Sequence, residues 1–188
     1  MQLLLSYVKH FVPLSTAEEK ALTASFRVTT YNKGHILNAE GAVCHHLYFV
    51  LQGICRTFHD HTRKEVTTWI YPEGHFITAW SSFMAQSPSH ESIEVLEDNT
   101  QVAYITKSTL ETLYEQHRAF ERFGRMLAEE QLAFLDDYAR GYHLLSARQK
   151  YENLLAFFPE ITQRVNLGHV ASMLGITQET LSRIRRQV

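Results

Sequence analysis

The hydrophobic pattern changes texture twice along the chain. Residues 2–12 read as a short amphipathic helix interrupted by Pro13. Ser15-Thr16-Ala17-Glu18 then fits a capping box, so a second helix is expected to about Phe26. From Arg27 to Ile105, short β-rich runs alternate with turn residues: V-T-T-Y before Asn32-Lys33-Gly34, L-Y-F-V-L before Gln52-Gly53, and V-T-T-W-I-Y before Pro72-Glu73-Gly74. The runs E-S-I-E-V-L and Q-V-A-Y-I close the set. Many short strands at near-regular spacing predict an antiparallel sandwich or jelly-roll barrel. Beyond Ile105 the pattern is helical again, over 108–115, 118–145 and about 147–157, ending at Phe158-Pro159.

The long run at 118–145 carries two apolar stripes. Phe120, Gly124, Leu127, Gln131, Phe134, Tyr138, Gly141 and Leu145 follow at alternating steps of four and three, and Ala128, Leu132, Leu135, Ala139 and Tyr142 form a second line. One stripe can pack on the barrel and the other is left for a partner helix. A helix over this span would be about 42 Å long, more than a small barrel covers. The chain is therefore expected to form a homodimer, with Phe120, Leu127, Phe134 and Tyr138 at its interface.

The C-terminal segment reads V-N-L-G-H-V-A-S-M-L-G-I-T-Q-E-T-L-S-R-I-R-R from Val165 to Arg186. Val170, Met173 and Leu174 set one apolar face, Gly175 breaks the period, and Leu181 and Ile184 resume it. Thr177 is placed to cap the second run. Two short helices joined by a glycine-containing turn predict a helix-turn-helix. Thr177, Gln178, Glu179, Thr180, Ser182, Arg183 and Arg186 are the candidate DNA contacts, since Gln, Glu and Arg side chains can read base edges in a major groove. An ordinary helical hairpin with a solvated second face has the same pattern.

Bulk properties add location. The 188 residues are 45% hydrophobic and 20% charged, with a net charge of −2. Residues 1–115 hold 8 Lys+Arg against 12 Asp+Glu, and residues 116–188 hold 10 against 8. Any DNA contact is thus expected at the C-terminal end. Cys44 and Cys55 match no zinc spacing and suit two reduced, buried thiols. The N-terminal run lacks a basic region and a cleavage site, and no apolar stretch reaches membrane-span length, so a cytoplasmic protein is expected.

Helix, barrel, long helix and helix-turn-helix, in this order, resemble the Crp-Fnr family of bacterial transcription regulators (cyclic-AMP receptor protein and Fnr). Lys33-Gly34-His35-Ile36-Leu37, Glu40-Gly41, Leu47-Tyr48-Phe49-Val50, Gly53 and Arg56 look like the family's early strands. Pro72-Glu73-Gly74-His75-Phe76-Ile77 looks like the approach to its nucleotide cassette, and Gly175 to Ile184 looks like its turn and recognition helix. The resemblance implies an α+β fold with three parts. These are a cyclic nucleotide-binding-like sensor barrel of the double-stranded β-helix type at 1–116, a dimerisation helix at 117–145 and a helix-turn-helix unit at 146–188. It also implies double-stranded DNA and a small-molecule effector as partners, no enzymatic activity, no cofactor and no metal.

Two positions depart from the family. Its cyclic-nucleotide binders carry a Gly-Glu pair for the ribose and an Arg for the cyclic phosphate. Thr78 and Ala79 stand at the pair, and Ser87-Pro88-Ser89-His90-Glu91-Ser92 at the Arg region, with no Arg or Lys between Lys64 and Lys107. A buried phosphate without a cation is costly. A degenerate pocket of Phe76, Thr78, Ala79, Trp80, His90 and Glu91 is expected, with a signal other than cyclic AMP. The family's two-stranded wing after the recognition helix is expected to be missing or minimal in a sequence that stops at Val188, which leaves a dimeric sensor without DNA binding as one alternative.

The other alternative is a cupin-like metal enzyme. His59-x-His61-x-x-x-Glu65 after Gly53 has the two-His, one-carboxylate character that suits iron(II). Asp60-His61-Thr62 reads equally as the polar turn of a hairpin.

Overall fold

The computed structural model describes residues 1–62 and 64–186. Two helices, α1 (Gln2–Phe11) and α2 (Thr16–Ser25), precede the barrel. The expected capping box forms at α2: Ser15 Oγ accepts from the Glu18 amide at 3.3 Å, and the Ser15 amide donates to the Glu18 carboxylate at 2.8 Å.

Eight strands follow. They are β1 (Arg27–Tyr31), β2 (Ile36–Asn38), β3 (His46–Gln52), β4 (Cys55–His61), β5 (Lys64–Tyr71), β6 (Phe76–Ile77), β7 (Ser92–Val95) and β8 (Thr100–Thr106), with a short helix α3 (Trp80–Ala85) after β6. They make two antiparallel four-stranded sheets, ordered β1-β8-β3-β6 and β2-β7-β4-β5, the two faces of a jelly roll. Phe49, Ile77, Ile93 and Ile105 are fully buried between the layers, each contributing about 2 kcal/mol by leaving water. Gly53 turns β3 into β4 with φ +90°, and a Cβ there would meet Thr100 Oγ1 at 2.2 Å. A side chain at this position is excluded twice, by backbone conformation and by space.

Helix α4 (Lys107–Gln116) is capped by Thr106, whose hydroxyl accepts from the Thr109 amide at 3.2 Å. The long helix α5 runs Arg118–Gly141 and is shorter than the sequence pattern suggested. A single 3₁₀ turn, Tyr142–Leu144, takes over after Gly141. The C-terminal unit holds α6 (Ala147–Phe157), α7 (Ile161–Arg164), α8 (Leu167–Leu174) and α9 (Gln178–Arg185). No helix among the described residues is long and apolar enough to cross a membrane.

The stripe of α5 expected at a dimer interface divides between core and surface. Phe120 and Leu127 are 1% and 6% exposed, packed with Phe123 into the core beneath α1. Further along, Phe134 and Tyr138 lie edge-on to Trp69 of β5, with ring centroids at 5.3 and 6.1 Å. The first half of the stripe assigned to a partner, Phe120 and Leu127, is therefore spent on the protomer's own core, while Phe134 beside Trp69 stays 44% exposed. The second stripe is more exposed, with Leu132 at 69% and Leu135 at 58%. Equal spacing cannot choose between two stripes. Phe120 and Leu127 turn inward because α1 and α2 offer an apolar floor to meet them, and they share one buried cluster with Val8, Leu22 and Phe26.

Candidate functional site

The helix-turn-helix forms on its own local signals. Asn166 caps α8 by accepting from the Gly168 amide at 2.7 Å. Gly175 ends that helix in the left-handed region at φ +68°, and its amide returns to the Ala171 and Ser172 carbonyls. Thr177 caps α9, its hydroxyl accepting from the Thr180 amide at 3.1 Å and donating to the Thr180 hydroxyl at 2.9 Å. These two candidates are thus committed to the cap. Leu181 and Ile184 are buried, so Gln178, Glu179, Arg183, Arg185 and Arg186 fall on the exposed face, with Ser182 half-buried at its edge. The minimal wing considered from the sequence would fall at Gln187 and Val188, outside the described residues.

Of the six cassette positions, Phe76 and Trp80 line one cavity beside α5, and Thr78, Ala79, His90 and Glu91 do not line it. Phe76 lies in the aromatic core, 4.8 Å from the Phe49 ring. Thr78 is buried and donates to the His46 carbonyl at 2.9 Å. Ala79 is buried at the start of α3, His90 is exposed, and Trp80 leans out toward α5. Glu91 is half-buried, and burial pushes its carboxyl up, against a hydrogen bond from Thr57. Burial likewise raises the Tyr71 phenol, with the Glu91 charge adding to it. The barrel thus carries an acid where a phosphate site needs a cation.

A cation does sit on β4, turned the other way. Arg56 is 2% exposed on the outer face of the second sheet. Its Nε donates to Glu94 at 2.6 Å, its Nη1 to Thr67 Oγ1 at 3.0 Å and to His169 Nδ1 of α8 at 2.9 Å, and its Nη2 pairs with Glu65. Beside it the Thr67 amide of edge strand β5 donates to Ser172 Oγ of α8 at 3.0 Å. A second clasp lies at the other end. Arg164 reaches Glu73 at 2.7 and 3.0 Å and Glu97 at 2.7 and 2.9 Å. Burial pushes the Glu73 carboxyl up, but the Arg164 hydrogen bonds and the Gly53 amide outweigh it and hold it below the ordinary range. Between the clasps, Ile54, Ile70 and Leu96 of the barrel share one buried cluster with Val170, Met173 and Leu174. The C-terminal unit is docked on the barrel through α8, while α9 faces solvent. Sequence reading missed this interface. Its signal was an Arg two residues after Ile54 on the outward face of a strand, where a solvated position would be expected.

Residues 28–117 match the model of the cyclic nucleotide-binding domain. Similar solved structures carry the same order of barrel, long helix and C-terminal helices. The catabolite activator protein of Thermus thermophilus is 20% identical with TM-score 0.59, covering 94% of this chain and 84% of that one. A variant of CooA from Carboxydothermus hydrogenoformans is 20% identical with TM-score 0.67, covering 88% and 77%. The c-di-GMP-responsive global regulator CLP of Xanthomonas campestris is 15% identical with TM-score 0.66, covering 92% and 91%. The fold is that of the Crp/Fnr regulators. No curated protein sequence matches the chain.

Within this Crp/Fnr fold the metal-enzyme alternative loses its ligand set. The β4–β5 register pairs Asp60 with Glu65, so Glu65 lies on the face of Asp60 and opposite to His59 and His61. Arg56 also holds the Glu65 carboxylate. Among the described residues no group of three or more His, Cys, Asp or Glu side chains could hold a metal.

Proposed function

We propose that this chain is a homodimeric, cytoplasmic, DNA-binding transcription regulator of the Crp/Fnr type that responds to a signal other than cyclic AMP. In this reading residues 1–116 sense, 117–145 dimerise and 146–188 bind DNA. The observation that carries it is α9, capped, held by Leu181 and Ile184, and presenting Gln178, Glu179 and Arg183 to solvent. Arg183 stands one turn beyond Glu179 and can donate two hydrogen bonds to a guanine edge, while Glu179 can accept from a cytosine amino group. Arg186, at the helix end, suits phosphate.

Selection on randomised DNA tests this. Wild type is expected to enrich a two-fold symmetric sequence. Arg183→Ala should weaken it by about 1–3 kcal/mol and relax one base position per half-site. Arg186→Ala should weaken all sequences alike and flatten the salt dependence. No enrichment by wild type would leave the sensor without DNA binding as the better reading.

The signal follows from the barrel. Thr78 and Ala79 offer no carboxylate to a ribose, and Arg56 is turned outward to α8. Cyclic AMP is expected to bind no tighter than the high-micromolar range, and a low-micromolar calorimetric dissociation constant at neutral pH would refute this. That CLP, of the same fold, is a c-di-GMP-responsive regulator supports a barrel of this kind serving other effectors.

A further inference from the structure

We infer that the cavity where the long helix, its terminal turn and the C-terminal unit meet is an effector site for a planar aromatic monoanion. The cavity measures about 330 Å³, a size at the lower end of small-molecule pockets, about 300–1,000 Å³. It is assembled from four parts of the fold: Trp69 of β5, Phe134 and Tyr138 of α5, Tyr142 of the 3₁₀ turn, and Phe157 and Leu174 of the C-terminal unit. None of Thr78, Ala79, His90 or Glu91 lines it, so it is distinct from the degenerate cassette.

Its walls select shape. Tyr138 and Tyr142 stack with centroids 4.2 Å apart, and Trp69 stands edge-on to Phe134 across the cavity wall. Flat apolar faces meeting at right angles suit a fused ring, which can stack on one face and take an edge contact from another.

Its charge selects sign. Lys150 lines the cavity with its ammonium 4.4 Å from the centre of the Tyr142 ring. Among the described residues it forms no salt bridge. Asp137, on the same rim, pairs with Arg140 at 3.8 Å. The cavity therefore presents one cation, Lys150, without an ion-pair partner, and its one carboxylate, Asp137, has a cation of its own in Arg140. A neighbouring cavity of about 310 Å³ shares Trp69, Phe134 and Phe157 but is bordered by Glu130 and by no Lys or Arg among its lining residues, which disfavours an anion there. A ligand touching Tyr142 and Leu174 together would hold the C-terminal unit in the docked arrangement, adding stability as its concentration rises above its dissociation constant.

Naming this ligand an effector rests on the regulator reading, but its binding is measured without DNA, so the two can fail separately. The full-length protein would be titrated with anilinonaphthalene sulfonate, then with 2-naphthoate and 2-naphthalenemethanol as competitors. We expect one site per protomer, displacement by naphthoate in the micromolar range, and the neutral alcohol about tenfold weaker for want of the charge-assisted contact. Lys150→Gln should weaken naphthoate about tenfold and leave the alcohol unchanged. Gly141→Phe should abolish both. Gly141 lines the cavity with φ −106°, and a Cβ there meets nothing within 4 Å, so this variant fills the space without straining the fold. An unchanged unfolding midpoint would confirm that. Undiminished naphthoate binding by folded Gly141→Phe overturns the site. Equal affinity for alcohol and acid overturns the anion. Binding seen only after the protein is made monomeric would mean that a second copy closes the cavity, and would overturn the effector role.

Discussion

Glutamate at both Leu132 and Leu135 should leave the purified protein monomeric. These two are the most exposed large apolar side chains along α5, at 69% and 58% against 44% for Phe134, and a two-fold axis along that face would place each introduced carboxylate against its copy. Sedimentation should report the protomer mass, while thermal unfolding of the protomer changes little. Binding to a symmetric operator should fall by about a hundredfold or more, because linked half-sites no longer bind together. Leu127→Ala makes the opposite prediction. Leu127 lies in the protomer core, so its truncation should cost about 2–5 kcal/mol of stability and leave assembly intact once folded. A Leu132→Glu, Leu135→Glu double variant that still sediments as a dimer would remove α5 from the interface.

Arg56→Ala should have the largest effect on stability, about 3–5 kcal/mol by urea unfolding, because it strands the half-buried Glu94 without its cation and leaves Thr67 and His169 without their donor, while the exposed Glu65 returns to water. Without the donor to His169, α8 loses its hold on the sheet. Proteolysis near Tyr142–Leu145 should accelerate as the C-terminal unit detaches. Arg56→Lys should rescue little, since one ammonium cannot replace a planar fork that serves Glu94, Thr67, His169 and Glu65.

The same contact responds to pH. Burial and then the Arg56 charge hold the His169 imidazole below its ordinary 6.5, although Glu94 and Glu65 pull the other way and Lys33 adds to the lowering. Neutral His169 is the hydrogen-bond acceptor. The stability it contributes is complete above pH 6.5 and is lost as pH falls through the lowered folded value. Comparison of urea midpoints at pH 7.5 and 5.5 should show this loss. His169→Gln, which keeps an acceptor and removes the titration, should flatten it.

Much of the path to these residues was legible in the chain. The capping box at Ser15–Glu18, the turn at Gly53 and the αL glycine at 175 are local devices, and each acts through backbone groups within a few residues of itself. The strand runs were legible because alternation survives wherever one face is buried. Short elements escaped: β2, β6 and α3 have three, two and six residues, too few to display a period. That no Arg or Lys lies between Lys64 and Lys107 is read from the sequence without any structure. Where Arg56 points did need one, because a strand residue faces one side or the other according to its sheet.

The division follows from range. Helix ends, turns and the grammar of the helix-turn-helix depend on contacts a few residues apart, so the sequence alone specifies them. The choice between two equally spaced stripes on α5 depends on what lies opposite, and only the packed structure supplies the core cluster for Phe120 and Leu127 and Trp69 for Phe134 and Tyr138. The docking of α8 joins residues over a hundred positions apart, Arg56 to His169 and Thr67 to Ser172. No periodicity encodes such a pair. It exists because Ile54, Ile70 and Leu96 leave the barrel with an apolar outer face, and burying that face against α8 brings the polar groups at its rim within reach of one another.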